Sequence, residues 1–386
     1  MNFELLFEAS KESAISGRYI TLKHLEPLIN CYKSIFEVDI IGRSVQDKPI
    51  YAITAGVGKT KVFIWSQMHG NESTTTKAIF DFLNFLKSDH ELAMSFREYF
   101  TYYILPMVNP DGAELYTREN ANKIDLNRDS VDLSQPESKV LRKAFEEFKP
   151  DFAYNMHDQR TIFGVGEGKP KPATVSFLAP SYNEEREIND TRQIAINVIS
   201  AMNDTLQKYI PGQVGRFDDG FNINCIGDMF QSLGVPTILF EAGHYQNDYI
   251  RENTRKFIFI ALLSGFYAIY ENVIVVNKSI DYFRIPQNKI IFYDIMCKNV
   301  KINYENKEIF TNFASHYKEV LIDDSVIFEA YIKEIGNLDE FHSHIEYDCH
   351  GELFVGRDGT NLPKIEEKAN FIISPDREFV NGLEKK

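Results

Sequence analysis

Apolar positions along the chain fall into two kinds of run. Short blocks bounded by turn residues predict strands near Phe36–Ile41, Ile50–Thr54, Lys61–Ser66, Phe100–Met107, Asp151–Met156, Thr174–Leu178 and Pro236–Phe240. Between them, apolar residues spaced three and four apart predict helices over Leu22–Tyr32, Ser73–Leu86, Glu137–Phe148, Glu184–Lys208 and Asp248–Tyr270. Strands that alternate with helices imply an α/β fold with a mixed, largely parallel sheet. Blocks such as Val62-Phe63-Ile64-Trp65 and Thr237-Ile238-Leu239-Phe240 are apolar on both faces, so helices are expected on both faces of that sheet.

After Val276 the texture changes. Alternating or β-branched runs at Lys289–Tyr293, Val320–Asp323, Val326–Ile332 and His342–Tyr347 replace the helical spacing. The expected organisation is an N-terminal segment (1–17), an α/β domain (18–275) and a small β-rich domain (276–386). The longest charge-free apolar stretch, Phe257–Tyr270, is shorter than the roughly 20 residues a bilayer requires. It reads as a buried helix.

Composition narrows the function classes. The 386 residues are 44% hydrophobic and include 30 Phe and 20 Tyr, enough to bury a large core, which excludes wholesale disorder. A net charge of −14 is unfavourable for nucleic acid or an anionic membrane, so neither is expected as a partner. Cys31, Cys225, Cys297 and Cys349 lie far apart and read as reduced thiols. The first ten residues carry Glu4 and Glu8 and no basic stretch before an apolar one, so no secretory leader is expected and the reading is cytoplasmic.

Candidate chemistry gathers at the predicted strand ends. Met68-His69-Gly70-Asn71-Glu72 lies between a strand and a helix, where His69 and Glu72 could aim at one point. Alone, that pattern also fits a hydrogen-bonded turn histidine beside a glutamate at a helix start. His157 and Glu241 close two further strands, and open α/β sheets bind their ligands outside the carboxyl ends of strands. Two histidines and a glutamate form a donor set for catalytic zinc with a position open for water. Glu241 follows three apolar residues, Ile238, Leu239 and Phe240, and a carboxylate there is costly to bury unpaired.

A second polar block separates the histidines: Asn109-Pro110-Asp111-Gly112, then Arg118, then Asp125-Leu126-Asn127-Arg128. With His69-Gly-Asn-Glu72 before it and His157 and Glu241 after it, this order resembles the zinc carboxypeptidase family over roughly residues 18–275. The resemblance implies that His69, Glu72 and His157 hold Zn²⁺, with a water, acidified by the metal, as nucleophile. It implies Glu241 as general base, Arg118 as oxyanion stabiliser, and Asn127 and Arg128 as the holders of a substrate's free carboxylate. The implied substrate is a peptide or an acylated amino acid with a free carboxylate.

The chain also departs from that pattern. The family places a mobile tyrosine upstream of its catalytic glutamate, whereas no tyrosine occurs here between Tyr209 and Tyr245. In the same region Asp218, Asp219 and Asp228 are candidates for an acidic pocket that selects a basic side chain, against the plainer reading of a solvated acidic loop. A deacylase of N-acyl amino acids on the same zinc site, and a catalytically inactive peptide-binding module, are the rival readings.

Overall fold

The computed structural model describes residues 2–385. They divide into two units, one of residues up to 159 with 173–288, the other of 160–172 with residues from 289 on. The first unit opens with α1 (Phe3–Ser10), α2 (Leu22–Tyr32), β1 (Glu37–Arg43), β2 (Pro49–Ala55) and β3 (Thr60–Ser66). Next come α3 (Thr74–Lys87), α4 (Glu91–Tyr99), β4 (Phe100–Leu105), α5 (Pro110–Leu115), α6 (Pro136–Phe148) and β5 (Phe152–Asp158). The short strands β6 (Phe163–Val165) and β7 (Lys171–Pro172) belong to the second unit. The first unit resumes with β8 (Val175–Leu178), α7 (Asp190–Leu206), β9 (Val214–Arg216), α8 (Ile226–Ser232), β10 (Thr237–Ala242), α9 (Glu252–Tyr270) and α10 (Ser279–Arg284).

Eight strands form one sheet in the order β1-β2-β4-β3-β5-β10-β8-β9. Its centre is parallel, from β4 through β3 and β5 to β10, and β8 and β9 are also parallel. The pairs β1 with β2, β2 with β4 and β10 with β8 are antiparallel. This is the mixed, largely parallel sheet expected from the sequence. Both faces are covered, as the all-apolar strands require. Val62, Ile64, Tyr154 and Phe240 join α3, α7 and α9 in one core, while Phe63, Trp65 and Ala153 join α6 and α8 in another. Phe145 of α6 stacks on Phe230 of α8 with ring centroids 3.7 Å apart.

Helix ends shift for identifiable reasons. The run expected from Asp248 starts at Glu252, because the Asp248 carboxylate accepts the N–H groups of Glu252, Asn253 and Thr254 and so caps the helix from outside. Helices α4 and α8, of nine and seven residues, offer too few turns for a 3.6-residue period to show in the sequence. The segment before α2 is tied to the first unit, with the Glu12 N–H on Asp81 (2.7 Å) and the Arg255 guanidinium on the Ile15 carbonyl (2.8 Å).

The second unit is β-rich, as the texture after Val276 implies. Its strands are β11 (Lys289–Ile290), β12 (Phe292–Tyr304), β13 (Lys307–Ile322), β14 (Ser325–Gly336), β15 (His342–Asp348), β16 (Phe354–Gly356), β17 (Phe371–Ile373), β18 (Arg377–Val380) and β19 (Leu383–Glu384). They make one sheet ordered β14-β13-β12-β15 and another ordered β16-β17-β18-β19. A third sheet, β11-β6-β7, is built from the two separate stretches of chain. The units part after Asn288 rather than after residue 275, because α10 buries Tyr282, whose hydroxyl accepts the Ala179 N–H at 3.1 Å, within the first unit.

Candidate metal centre

Three adjacent parallel strands, β3, β5 and β10, end at one place. β3 runs into the turn carrying His69 and Glu72, β5 carries His157, and β10 carries Glu241. In the ladder between β5 and β10, His157 stands opposite Glu241, so both side chains leave the same face of the sheet. The turn is tight, with the Glu72 N–H donating to the His69 carbonyl at 3.1 Å. It requires Gly70, where a Cβ would stand 1.9 Å from the carbonyl carbon of Gly112. The Asn-Pro-Asp-Gly block is therefore the floor of the site. Asn109 accepts from the Gly112 N–H (2.8 Å) and donates to the Met68 carbonyl (3.1 Å), while buried Asp111 accepts from Ser44 Oγ (2.9 Å).

His69, Glu72 and His157 are all buried, and their donor atoms lie within 4.8 Å of one another. Glu72 presents Oε1 to His69 Nδ1 and Oε2 to His157 Nδ1, each at 2.8 Å, and the two Nδ1 atoms are 3.2 Å apart. Asp125 holds the far nitrogen of His69, with Nε2 3.0 Å from Oδ1. Arg118 lies beside the cluster, bonding Asp125 (3.0 Å) and standing 3.2 Å from His69 Nδ1.

Electrostatics sharpen the picture. Burial opposes the charge on Glu72, yet the two histidines hold its carboxyl well below the usual range. Burial likewise opposes the charge on Asp125, but the His69 hydrogen bond and the Arg118 charge keep its carboxyl low. Burial pushes the His157 imidazole down, whereas His69 is raised because Glu72 and Asp125 outweigh its burial. Glu241 is pushed well above the usual carboxylate range by burial and by the charges of Glu72 and Asp158, and its Oε2 is buried with no hydrogen-bond partner.

The donor set fits zinc. Two imidazole nitrogens and a carboxylate converge, and with His69 Nε2 committed to Asp125 its Nδ1 is oriented as a lone-pair donor. Electron-rich atoms this close to one another call for a shared cation. The family model described as zinc carboxypeptidase matches residues 21–207, a stretch that contains all three of these ligands. Residues 21–207 are thus similar to the zinc carboxypeptidase family.

Individual relatives share shorter stretches. Carboxypeptidase 2 of Trichophyton tonsurans is 29% identical over 100 residues, which is 26% of this chain and 19% of that protein. Cytosolic carboxypeptidase 6 of Homo sapiens is 33% identical over 103 residues, which is 24% of this chain and 20% of that protein. The chain thus spans about a fifth of the length of the curated relatives it matches. Among solved structures, the metallo-carboxypeptidase from Burkholderia cenocepacia aligns with a TM-score of 0.52 at 18% identity, over 65% of this chain and 69% of that one. Carboxypeptidase A from Helicoverpa armigera aligns with a TM-score of 0.51 at 16% identity, over 70% of this chain and 80% of that one. These likenesses show the fold.

The other candidates stand at varying distances from this candidate metal centre. Arg118 is half exposed at its edge. Arg128 is exposed and donates to the Asn127 carbonyl (2.7 Å), while Asn127 Oδ1 accepts the Ile226 N–H (3.0 Å) and joins that loop to α8. Asp219 is paired with buried Arg192 (2.5 Å), and Arg186 lies 3.6 Å away. Asp218 is exposed, 3.8 Å from Arg186. Asp228 is buried in the first turn of α8, and burial pushes its carboxyl up to about 7.

Asp125 carries a role that the sequence reading does not assign, and Asp158 acts as the turn cap and ligand orienter that its place after His157 suggests. Asp125 bonds His69, although in sequence it looks only like the cap of a short turn, which it also is through the Asn127 N–H (2.9 Å). Asp158 accepts the N–H groups of Thr74 (2.9 Å) and Thr75 (3.3 Å), fixing the start of α3 directly after Glu72. Its own N–H donates to Glu72 Oε2 at 3.1 Å.

Proposed function

We propose that this protein is a zinc-dependent carboxypeptidase-type hydrolase that cleaves an amide bond next to a free carboxylate. The observation that carries this reading is Glu241, a carboxyl in register with His157 whose Oε2 is buried with no hydrogen-bond partner. Zinc, when held by His69, Glu72 and His157, supplies a Lewis acid that polarises the scissile carbonyl and acidifies a water. Glu241 takes the proton of the attacking water and later delivers it to the leaving amine, a task suited to a carboxyl whose burial makes it basic. Arg118 places a guanidinium where negative charge develops on the carbonyl oxygen. Asn127 and Arg128 bind the substrate's terminal carboxylate, Arg128 through paired N–H donors.

For the side chain next to that carboxylate, Asp228 is the candidate acidic group, since Asp219 is already paired with Arg192. Comparing kcat/KM for substrates ending in Lys, Glu and Phe checks this, and no preference for Lys removes the acidic-pocket assignment. The human cytosolic relative supports a cytoplasmic setting. Among the described residues no helix is long and apolar enough to cross a membrane.

The decisive experiment measures zinc content and turnover together on peptides and N-acyl amino acids. Chelation is expected to abolish hydrolysis and Zn²⁺ to restore it. Glu241→Gln is expected to keep the metal and lose roughly 10²–10⁴ in kcat. A near-normal kcat in that variant overturns the mechanism.

A further inference from the structure

Arg251 is buried, and its surroundings are unusual for an arginine. It precedes α9 in the left-handed region at φ 59°, a conformation unfavourable for a residue with a Cβ. Burying a guanidinium adds a second cost. Helix capping does not account for either, because Asp248 already accepts the first N–H groups of α9.

The guanidinium instead straddles two strand ends. Nη1 donates to the Ala242 carbonyl (2.6 Å) and Nη2 to the Gln159 carbonyl (2.5 Å), while the Asp158 carboxylate lies 3.6 Å from Nη1. Ala242 follows Glu241 directly, and Gln159 comes two residues after His157. The Gln159 N–H also reaches the Ala242 carbonyl (2.9 Å), so the arginine spans the last rung between β5 and β10. Beyond that rung both chains turn away, one into the 160–172 stretch and the other through Gly243, where a Cβ would stand 1.9 Å from the Ala173 carbonyl oxygen.

We propose that Arg251 is a positioning residue, whose fork locks the ends of β5 and β10 together and thereby fixes Glu241 against the metal ligand His157. The proposal rests on the zinc-hydrolase reading above. It needs a planar group with two divergent donors, because a lysine ammonium at this site can bridge the two carbonyls only poorly. Small displacements matter at such a site, where about 1 Å can cost a hundredfold in rate.

The test compares wild type with Arg251→Lys and Arg251→Met in the full chain. It measures zinc affinity by chelator competition, kcat and KM separately, and the melting temperature. Both variants are expected to lose at least tenfold in kcat with KM within about twofold, and to bind zinc several-fold more weakly. Arg251→Lys, which keeps a positive charge beside Asp158, is expected to recover the melting temperature without recovering kcat. A purely structural role predicts that kcat returns together with stability in Arg251→Lys, and that result overturns the proposal. So does wild-type zinc affinity and kcat in both variants. If Arg251→Met does not fold, Arg251→Lys alone decides by the same criteria. A wild-type protein that binds no zinc overturns the hydrolase reading itself, and the proposal with it, a failure separable from one seen only in the variants.

Discussion

Asp125 shows how much of the site depends on one side chain. Its carboxylate fixes the His69 ring through Nε2 and simultaneously holds Arg118, so a single residue sets a ligand's tautomer and the placement of a cation. Asp125→Asn removes that negative charge while leaving the side chain nearly the same size. Zinc affinity is expected to fall about 10–100-fold, the usual cost of losing a ligand's orienting partner. Titration against a competing chelator reads it, and an unchanged affinity removes Asp125 from this role. Gly70 makes the same point without charge. A side chain there meets the Gly112 backbone, so Gly70→Ala is expected to displace the turn and weaken zinc binding.

Between elements, α3 and α9 are joined by buried charges. Arg255 of α9 bonds both oxygens of Asp81 of α3, at 2.7 and 2.6 Å, with both side chains fully buried. Arg255→Met leaves the Asp81 carboxylate buried without a counter-ion, and is expected to cost about 3–5 kcal/mol. A urea unfolding midpoint measures the loss. Replacing both partners, Asp81→Leu with Arg255→Met, is expected to recover much of it. Beside this pair, Glu252 bonds the buried Lys77 at 2.6 Å. Burial opposes its charge, but Lys77 and Arg255 prevail and hold its carboxyl at about 2, against an ordinary 4.5. A depressed carboxyl contributes stability above its unfolded value and loses it as the pH falls, here between about 4.5 and about 2. The contribution is roughly 1–3 kcal/mol once partial exposure is discounted. Glu252→Gln is expected to be less stable than wild type at neutral pH, with the gap narrowing below pH 4. A gap that stays constant refutes the assignment.

For the whole molecule, the second unit is assembled from two stretches of chain. β6 pairs with β11, Gly164 opposite Lys289 and Phe163 opposite Ile290. The inserted stretch starts three residues after His157. A chain ending at Asn288 therefore leaves β6 without its partner strand. That truncation is expected to lower soluble yield and zinc content, and replacing 160–172 by a short linker in the same truncation is expected to restore both. A truncated chain that is as soluble and as zinc-loaded as the full one refutes this dependence.

What the sequence alone determined was whatever repeats locally or sits at an element's end. The central strands and the helices α2, α3, α6, α7 and α9 were legible because burial on a sheet or a helix face imposes a period of 2.0 or 3.6. His69, Glu72, His157 and Glu241 were legible because each stands at a predicted strand end. Tertiary structure alone decided which distant residues meet. The bond from His69 to Asp125 spans 56 positions, and that from Arg251 to Gln159 spans 92. Neither leaves a periodic trace, since a long-range hydrogen bond constrains only the two residues that make it. The division of the chain escaped the sequence for a related reason. Strand pairing depends on which backbone edges come together, and the short β6 and β7 carry no apolar alternation to announce their partner.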